Sequence, residues 1–137
     1  MSLNPNISIR VALISLLSGL NIPAWNKRIP KNVVAPKVYA LLTSQTKQPT
    51  ETSKDGYEWM ASINVDLYKI NDFGYVNTVP IDNMEQDIVN GIEALVIPGW
   101  DVKNITLLNI QDLDDDTATQ TIERRVITYS FWLWPTQ

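Results

Sequence analysis

The residues with the most obvious capacity for chemistry are three consecutive carboxylates, Asp114, Asp115 and Asp116. Hard divalent cations take several oxygen ligands, and clustered carboxylates can supply them. The segment lacks the spacing of a calcium loop, with its central glycine and terminal glutamate. Consecutive side chains also diverge, so a solvated hairpin turn accounts for the run. Other carboxylates are plentiful, and a pair across a cleft could hydrolyse a glycosidic bond while tryptophans stack on the sugar. Nothing in the order of residues brings two of them together. The chain has no histidine and no cysteine. That removes the commonest general base, the commonest transition-metal ligand, the thiolate nucleophile and any disulfide. A serine or threonine nucleophile is left with lysine as its base, and the five glycines never cluster into a phosphate loop. No catalytic, cofactor-binding or metal-ligating residue is assigned, no cofactor is expected, and the sequence reads as that of a non-enzymatic protein.

Composition narrows the alternatives. With 137 residues, 45% of them hydrophobic and 19% charged, the sequence suits a single domain, residues 1–137, with a core of its own. The net charge is −4, and the one basic cluster is Lys27, Arg28 and Lys31. Arg124 and Arg125 fall on opposite faces of a strand, so no basic patch for duplex phosphates is visible. Ile7 to Leu17 is apolar, but Arg10 interrupts it and no basic segment precedes it. An amphipathic helix is expected there rather than a signal peptide or a membrane span.

The elements follow from spacing. Asn4 and Pro5 open a helix in which Ile7, Val11, Ile14 and Leu17 form a stripe, widened by Leu13 and Leu16 and ended by a left-handed cap at Gly19. Asn21 to Ala35 reads as irregular, with Trp25 as a lid over the sheet edge or, less simply, a ligand contact. Val38 to Thr43 reads as a strand, Ser44 to Gly56 as a long polar loop, and Tyr57 to Ile70 as a strand with period-two alternation. Asn71 to Gly74 punctuates the chain. Thr78 and Pro80 open a second helix, with Ile81, Met84, Ile88 and Ile92 on one face and Asp82, Glu85 and Asp87 near its positive end. Val102 to Leu113 and Gln120 to Trp134 complete the set, joined across Asp114 to Asp116. The order is α-β-β-α-β-β. The expected fold is α+β: an antiparallel sheet of about four main strands, two helices on one face, and a long projecting hairpin.

Two features ask for a partner. The last strand carries Ile127, Tyr129, Phe131 and Leu133 on one face, yet Val126, Trp132 and Trp134 on the other, where Met60 and Tyr68 of the hairpin also lie. A sheet covered on one face only should be polar on its second. Either Trp25 and the proline-rich segment cover it, or another subunit does. Tyr57 to Ile70 would also extend about 45 Å at roughly 3.3 Å per residue, against a body roughly 35–40 Å across.

The segment from Ala35 to Thr43 (APKVYALLT), that from Lys54 to Tyr68 (KDGYEWMASINVDLY) and the ending RVITYSFWLW, in this element order, resemble the tail-terminator and tail-completion proteins of tailed bacteriophages and related neck proteins of the head-to-tail joint. The resemblance covers nearly the whole chain and lies in element order and strand texture. It implies a virion subunit, made in the cytoplasm of the bacterial host, in a homo-oligomeric ring that is sixfold or a multiple. The ring would contact other phage tail or neck proteins and no membrane, with Ser44 to Gly56 as a contact loop. DNA would pass through its channel without sequence-specific binding. The alternative from the residues themselves is a carbohydrate- or peptide-binding module using Trp25, Trp59, Trp132 or Trp134 as a stacking platform, and a carboxylate-based hydrolase is a third.

Overall fold

The computed structural model describes residues 4–53, 56–72 and 79–136. Lys54, Asp55, Phe73, Gly74 and Thr78, on which turn and helix-start readings rest, lie outside the described residues. Two helices, α1 (Pro5–Gly19) and α2 (Val79–Glu93), accompany six strands: β1 (Ala24–Asn26), β2 (Val38–Ser53), β3 (Gly56–Asp72), β4 (Trp100–Asp112), β5 (Asp115–Asp116) and β6 (Gln120–Pro135). The sheet runs β1-β2-β3-β6-β4, with β5 also on β6. It is mixed, because β1 pairs with β2 in parallel while the other pairings are antiparallel. The expected four-stranded antiparallel sheet in the order α-β-β-α-β-β is therefore replaced by a six-stranded mixed one in the order α-β-β-β-α-β-β-β. The extra strands come from segments too short or too proline-rich to show a period.

The largest correction concerns Ser44 to Gly56. It is strand up to Ser53, and β3 begins at Gly56, in register from Ser53↔Gly56 back to Val38↔Lys69. Thr43, Thr46, Thr50 and Thr52 are β-branched and suit a strand. The segment's backbone pairs with β3, and the start of α1 reaches its near end, where Gln45 Nε2 donates to Asn6 O at 3.3 Å. Two irregularities interrupt it, between Thr43 and Thr46, where Ser44 takes φ 49°, and between Pro49 and Glu51. The overlong β3 does not stand free either. It pairs with β6 from Trp59↔Leu133 to Asp72↔Gln120, so only its first few residues reach past that partner. The expected projection becomes a long sheet.

Asn4 caps α1 by accepting the Asn6 N–H at 3.0 Å, with Pro5 in the first turn. The buried stripe is Ile9, Ala12, Leu13 and Leu17, while Ile7 and Val11 face outward. Both sets have helical spacing, and the helix is apolar nearly all round, so spacing could not choose the face; packing on the sheet does. Gly19 is the last helical residue, and the left-handed position is Asn21 at φ 61°. Ile22 N–H reaches Leu17 O at 2.9 Å and Asn21 N–H reaches Ser18 O at 3.0 Å, the paired bonds of a Schellman cap. Asparagine serves because it tolerates that conformation better than other non-glycine residues.

Both helices lie on one sheet face. Leu13 and Leu17 of α1 and Ile81, Ile88 and Ile92 of α2 share a core with Ala61, Ile63, Val65 and Leu67 of β3 and Ile127, Tyr129, Phe131 and Leu133 of β6. Each helix has 15 residues and so spans about 22 Å, less than half the length of the central strands. Arg125 closes one end of this layer. Its Nη1 lies 2.5 Å from Asp82 and 3.3 Å from Glu85 of α2, and its Nε donates to Asp112 of β4 at 2.6 Å. Burial opposes its charge, but the bonds to Asp82 and Asp112 outweigh that and hold its pKa above the ordinary arginine value.

Tyr129 is 2% exposed, and its hydroxyl has no protein partner among the described residues. Burial, with Glu93 and Glu85 adding, pushes its pKa up to about 12. A phenol whose folded pKa exceeds its unfolded one stabilises the fold below pH 10, and that contribution is lost as pH rises towards 12. Tyr129 is expected to contribute a loss of roughly 2–3 kcal/mol across that window in urea unfolding. Tyr129→Phe should remove that share while the part owed to Tyr68, likewise raised to about 12, remains.

Candidate functional site: the outer face of the sheet

The face away from the helices carries the side chains that could meet a partner. In β3 these are Glu58, Met60, Ser62, Asn64, Asp66 and Tyr68, and in β6 Arg124, Val126, Thr128, Ser130, Trp132 and Trp134, opposed as Tyr68↔Arg124, Asp66↔Val126 and Met60↔Trp132. The middle is polar and self-satisfied: Thr128 Oγ1 lies 2.8 Å from Asn64 Oδ1, and the Thr46 and Ser62 hydroxyls bond to each other. An aromatic cluster stands at each end.

At one end Tyr39 stacks on Tyr68, with ring centroids 4.8 Å apart, and Trp25 meets Tyr39 edge-on at 6.4 Å. The guanidinium of Arg124 lies 5.5 Å from the Tyr68 ring centroid and donates from Nε and Nη2 to Asp66 at 2.9 and 2.7 Å. The Tyr68 hydroxyl donates to the same carboxylate at 3.1 Å. Burial, then Asp66, push the Tyr68 hydroxyl up to about 12, with Arg124 pulling the other way. Trp25 belongs to β1 and sits at the sheet edge, the position expected of a lid, although its segment is a strand there rather than irregular.

At the other end Trp132 and Trp134 project on the same side of β6. Lys103 occupies the irregularity between Val102 and Asn104, which lets its side chain reach both indoles. Its ammonium lies 4.2 Å from the Trp132 centroid, 3.8 Å from that of Trp134 and 3.4 Å from Glu58 Oε1. Glu58 is only 5% exposed. Replacing Lys103 with methionine removes two cation–π contacts and leaves that carboxylate without its cation. A loss of about 1–3 kcal/mol is expected, read by urea denaturation, with Lys103→Arg retaining most of it. Sequence reasoning found these aromatics but not Lys103, because the bulge that redirects it leaves no pattern in the residue order.

The chemistry weighed from sequence does not assemble. Asp114 Oδ1 accepts the Arg124 N–H at 3.2 Å, and Asp115 and Asp116 form β5 rather than the turn itself. The turn follows them, where Thr117 Oγ1 accepts from Gln120 N–H at 3.0 Å. Among the described residues no group of acidic side chains is arranged to hold a metal ion. Buried carboxylates each face a cation: Glu58 with Lys103, Asp66 with Arg124, Glu123 with Lys69 at 3.1 Å. Glu58 and Asp66 share one face of one strand, but eight residues place them roughly 26 Å apart, beyond any glycosidase pair. Ser44 and Lys47 stand at S-x-x-K spacing. That spacing converges on a helix, whereas here it lies on β2, and Lys47 Nζ donates instead to Asn4 Oδ1 at 2.9 Å. No helix among the described residues is long and apolar enough to cross a membrane.

No protein-family model matches the sequence, and no curated protein matches it significantly. The fold is similar to that of a chain in the solved virion of the native gene transfer agent (GTA) particle. The TM-score is 0.60 at 10% identity, over 94% of this chain and 90% of that one. At that identity the likeness is one of fold.

Proposed function

We propose that this protein is a non-enzymatic structural component of a phage-like virion, and more finely a ring subunit at the tail end or head-to-tail joint that serves tail completion and head–tail attachment. The observation that carries the reading is the fold likeness along nearly the full length of both chains to a component of a gene transfer agent virion. The outer sheet face supports it. Met60 and Trp134 are 39% and 43% exposed there, as expected of a surface that meets other chains. Ordered contacts with copies of itself and with other virion proteins would complete its burial.

Co-expression with candidate tail-tube and portal proteins, followed by negative-stain microscopy and mass photometry, tests the reading. Rings of discrete mass that enter tail or neck complexes are expected. A protein that stays monomeric at its highest soluble concentration, and joins neither complex, overturns it. The carbohydrate-binding alternative is less well served: one face of both Trp132 and Trp134 is taken by the Lys103 ammonium, and the Lys47 ammonium lies 5.1 Å from the Trp59 ring centroid.

A further inference from the structure

The two lateral edges of the sheet are opposite in charge. Beside β1 and the start of β2 stand Lys27, Arg28, Lys31 and Lys37, all exposed and none paired with a carboxylate among the described residues. Beyond β6, on the other edge, stand Asp112, Asp114, Asp115 and Asp116, likewise exposed. Among the described residues Asp112 alone of these four has a cation, the inward-facing Arg125.

Along the strands Lys37 stands level with the acidic group, while Lys27, the residue after Asn26↔Leu42, lies beyond the Asp112 row in the other direction. Ala24↔Ala40, Ala40↔Leu67, Leu67↔Arg125 and Arg125↔Asp112 form one row across the sheet. Ile70, whose N–H bonds to Lys37 O at 2.7 Å, pairs through Ile122 with Asp115. Each edge also presents apolar side chains beside its charges. On the basic side Val33 and Val34 are 38% and 92% exposed, and on the acidic side Leu108 and Leu113 are 55% and 38% exposed.

We propose that these edges are the two halves of a head-to-tail contact between copies of this chain, the basic Lys27–Lys37 edge of one copy docking on the acidic Asp112–Asp116 edge of the next. Complementary charge on different patches makes the contact heterologous, and heterologous contacts propagate into rings when the rotation closes. Like edges repel, which disfavours a two-fold pairing of either patch with itself. The inference rests on the proposed role as an assembling subunit and names the surface through which copies meet.

Charge reversal tests it on the full chain. Arg28→Glu with Lys31→Glu cancels the positive charge of the basic edge, where Lys27 and Lys37 remain; Asp115→Lys with Asp116→Lys cancels the negative charge of the acidic edge, where Asp112 and Asp114 remain. All four side chains are exposed, so circular dichroism and melting should match the wild type. By sedimentation velocity at low salt, each double variant is expected to self-associate at least about tenfold more weakly than the wild type. An equimolar mixture of the two variants should recover association, because the unchanged acidic edge of one meets the unchanged basic edge of the other. Association of the wild type should weaken with added salt. A wild type that assembles while both double variants assemble equally well overturns this contact and leaves the role as an assembling subunit standing. A wild type that never self-associates overturns both. Should a variant lose its fold, Lys31→Ala and Asp116→Ala replace it, with weakening by either supporting the contact and unchanged association by both refuting it.

Discussion

Truncating Arg124 to alanine is expected to destabilise the protein by about 3 kcal/mol, the low end of what breaking a buried ion pair costs. The carboxylate of Asp66 is 2% exposed, whereas the side chain of Arg124 is 37% exposed. Removing the arginine therefore strands a charge that water cannot reach, with only the Tyr68 hydroxyl still donating to it. The reverse change, Asp66→Asn, leaves a guanidinium that can turn to solvent and should cost less, about 1–2 kcal/mol. Replacing both by leucine should recover much of the loss, since Asp66 lies between Leu41 and Val126 in the register and an apolar pair suits that setting. Urea denaturation of the three variants decides the matter. If the two single changes cost the same, the asymmetry in burial is not what governs this site.

Phe131→Ala is expected to cost about 3–5 kcal/mol, the range for emptying a buried aromatic position. The ring is fully buried, and its partners across the strands are Ala61 and Ile105. Alanine at 61 has no side chain with which to fill the space, and β6 is held on both sides, so the site cannot collapse. Against a typical total of about 5–15 kcal/mol, that loss should lower the melting temperature by many degrees. Trp134→Ala, three residues along on the opposite face and 43% exposed, should cost under about 1 kcal/mol. A Phe131 variant that melts with the wild type would refute the assignment of the core to this face.

The central strands were legible in the sequence because one face of β3 and one of β6 are covered and the alternation is strict. Ile63, Val65, Ile127 and Phe131 fall where period two puts them. The face of α2 was legible for the same reason, with Ile81, Ile88 and Ile92 buried. In α1 the face was not, because Ile7 and Val11 satisfy the same spacing as Ile9 and Leu13. The outer half of β2 was hidden because its strand character comes from backbone pairing with β3 and not from burial, so it reads as a loop. β1 and β5 have three and two residues, too few for any period to show. Of the outer face, the aromatics could be foreseen. The placement of Lys103 and the bidentate Arg124–Asp66 pair could not, since they depend on a bulge and on the register between strands 58 residues apart.

The β3–β6 pairing has a consequence for how the chain is made. A ribosome delivers β2 and β3 together, and they can close as a hairpin at once. The far edge of β3 then stays open until β6 has emerged, some 50 to 70 residues later in the register from Asp72↔Gln120 to Trp59↔Leu133. During that interval α1 is already made and can cover part of Ala61, Ile63, Val65 and Leu67, but the β3 backbone beside them is unpaired, a template for strand addition by another chain. Translation that stalls within α2 or β4 should therefore yield aggregates, and a helper that binds extended apolar segments should raise the yield of folded protein.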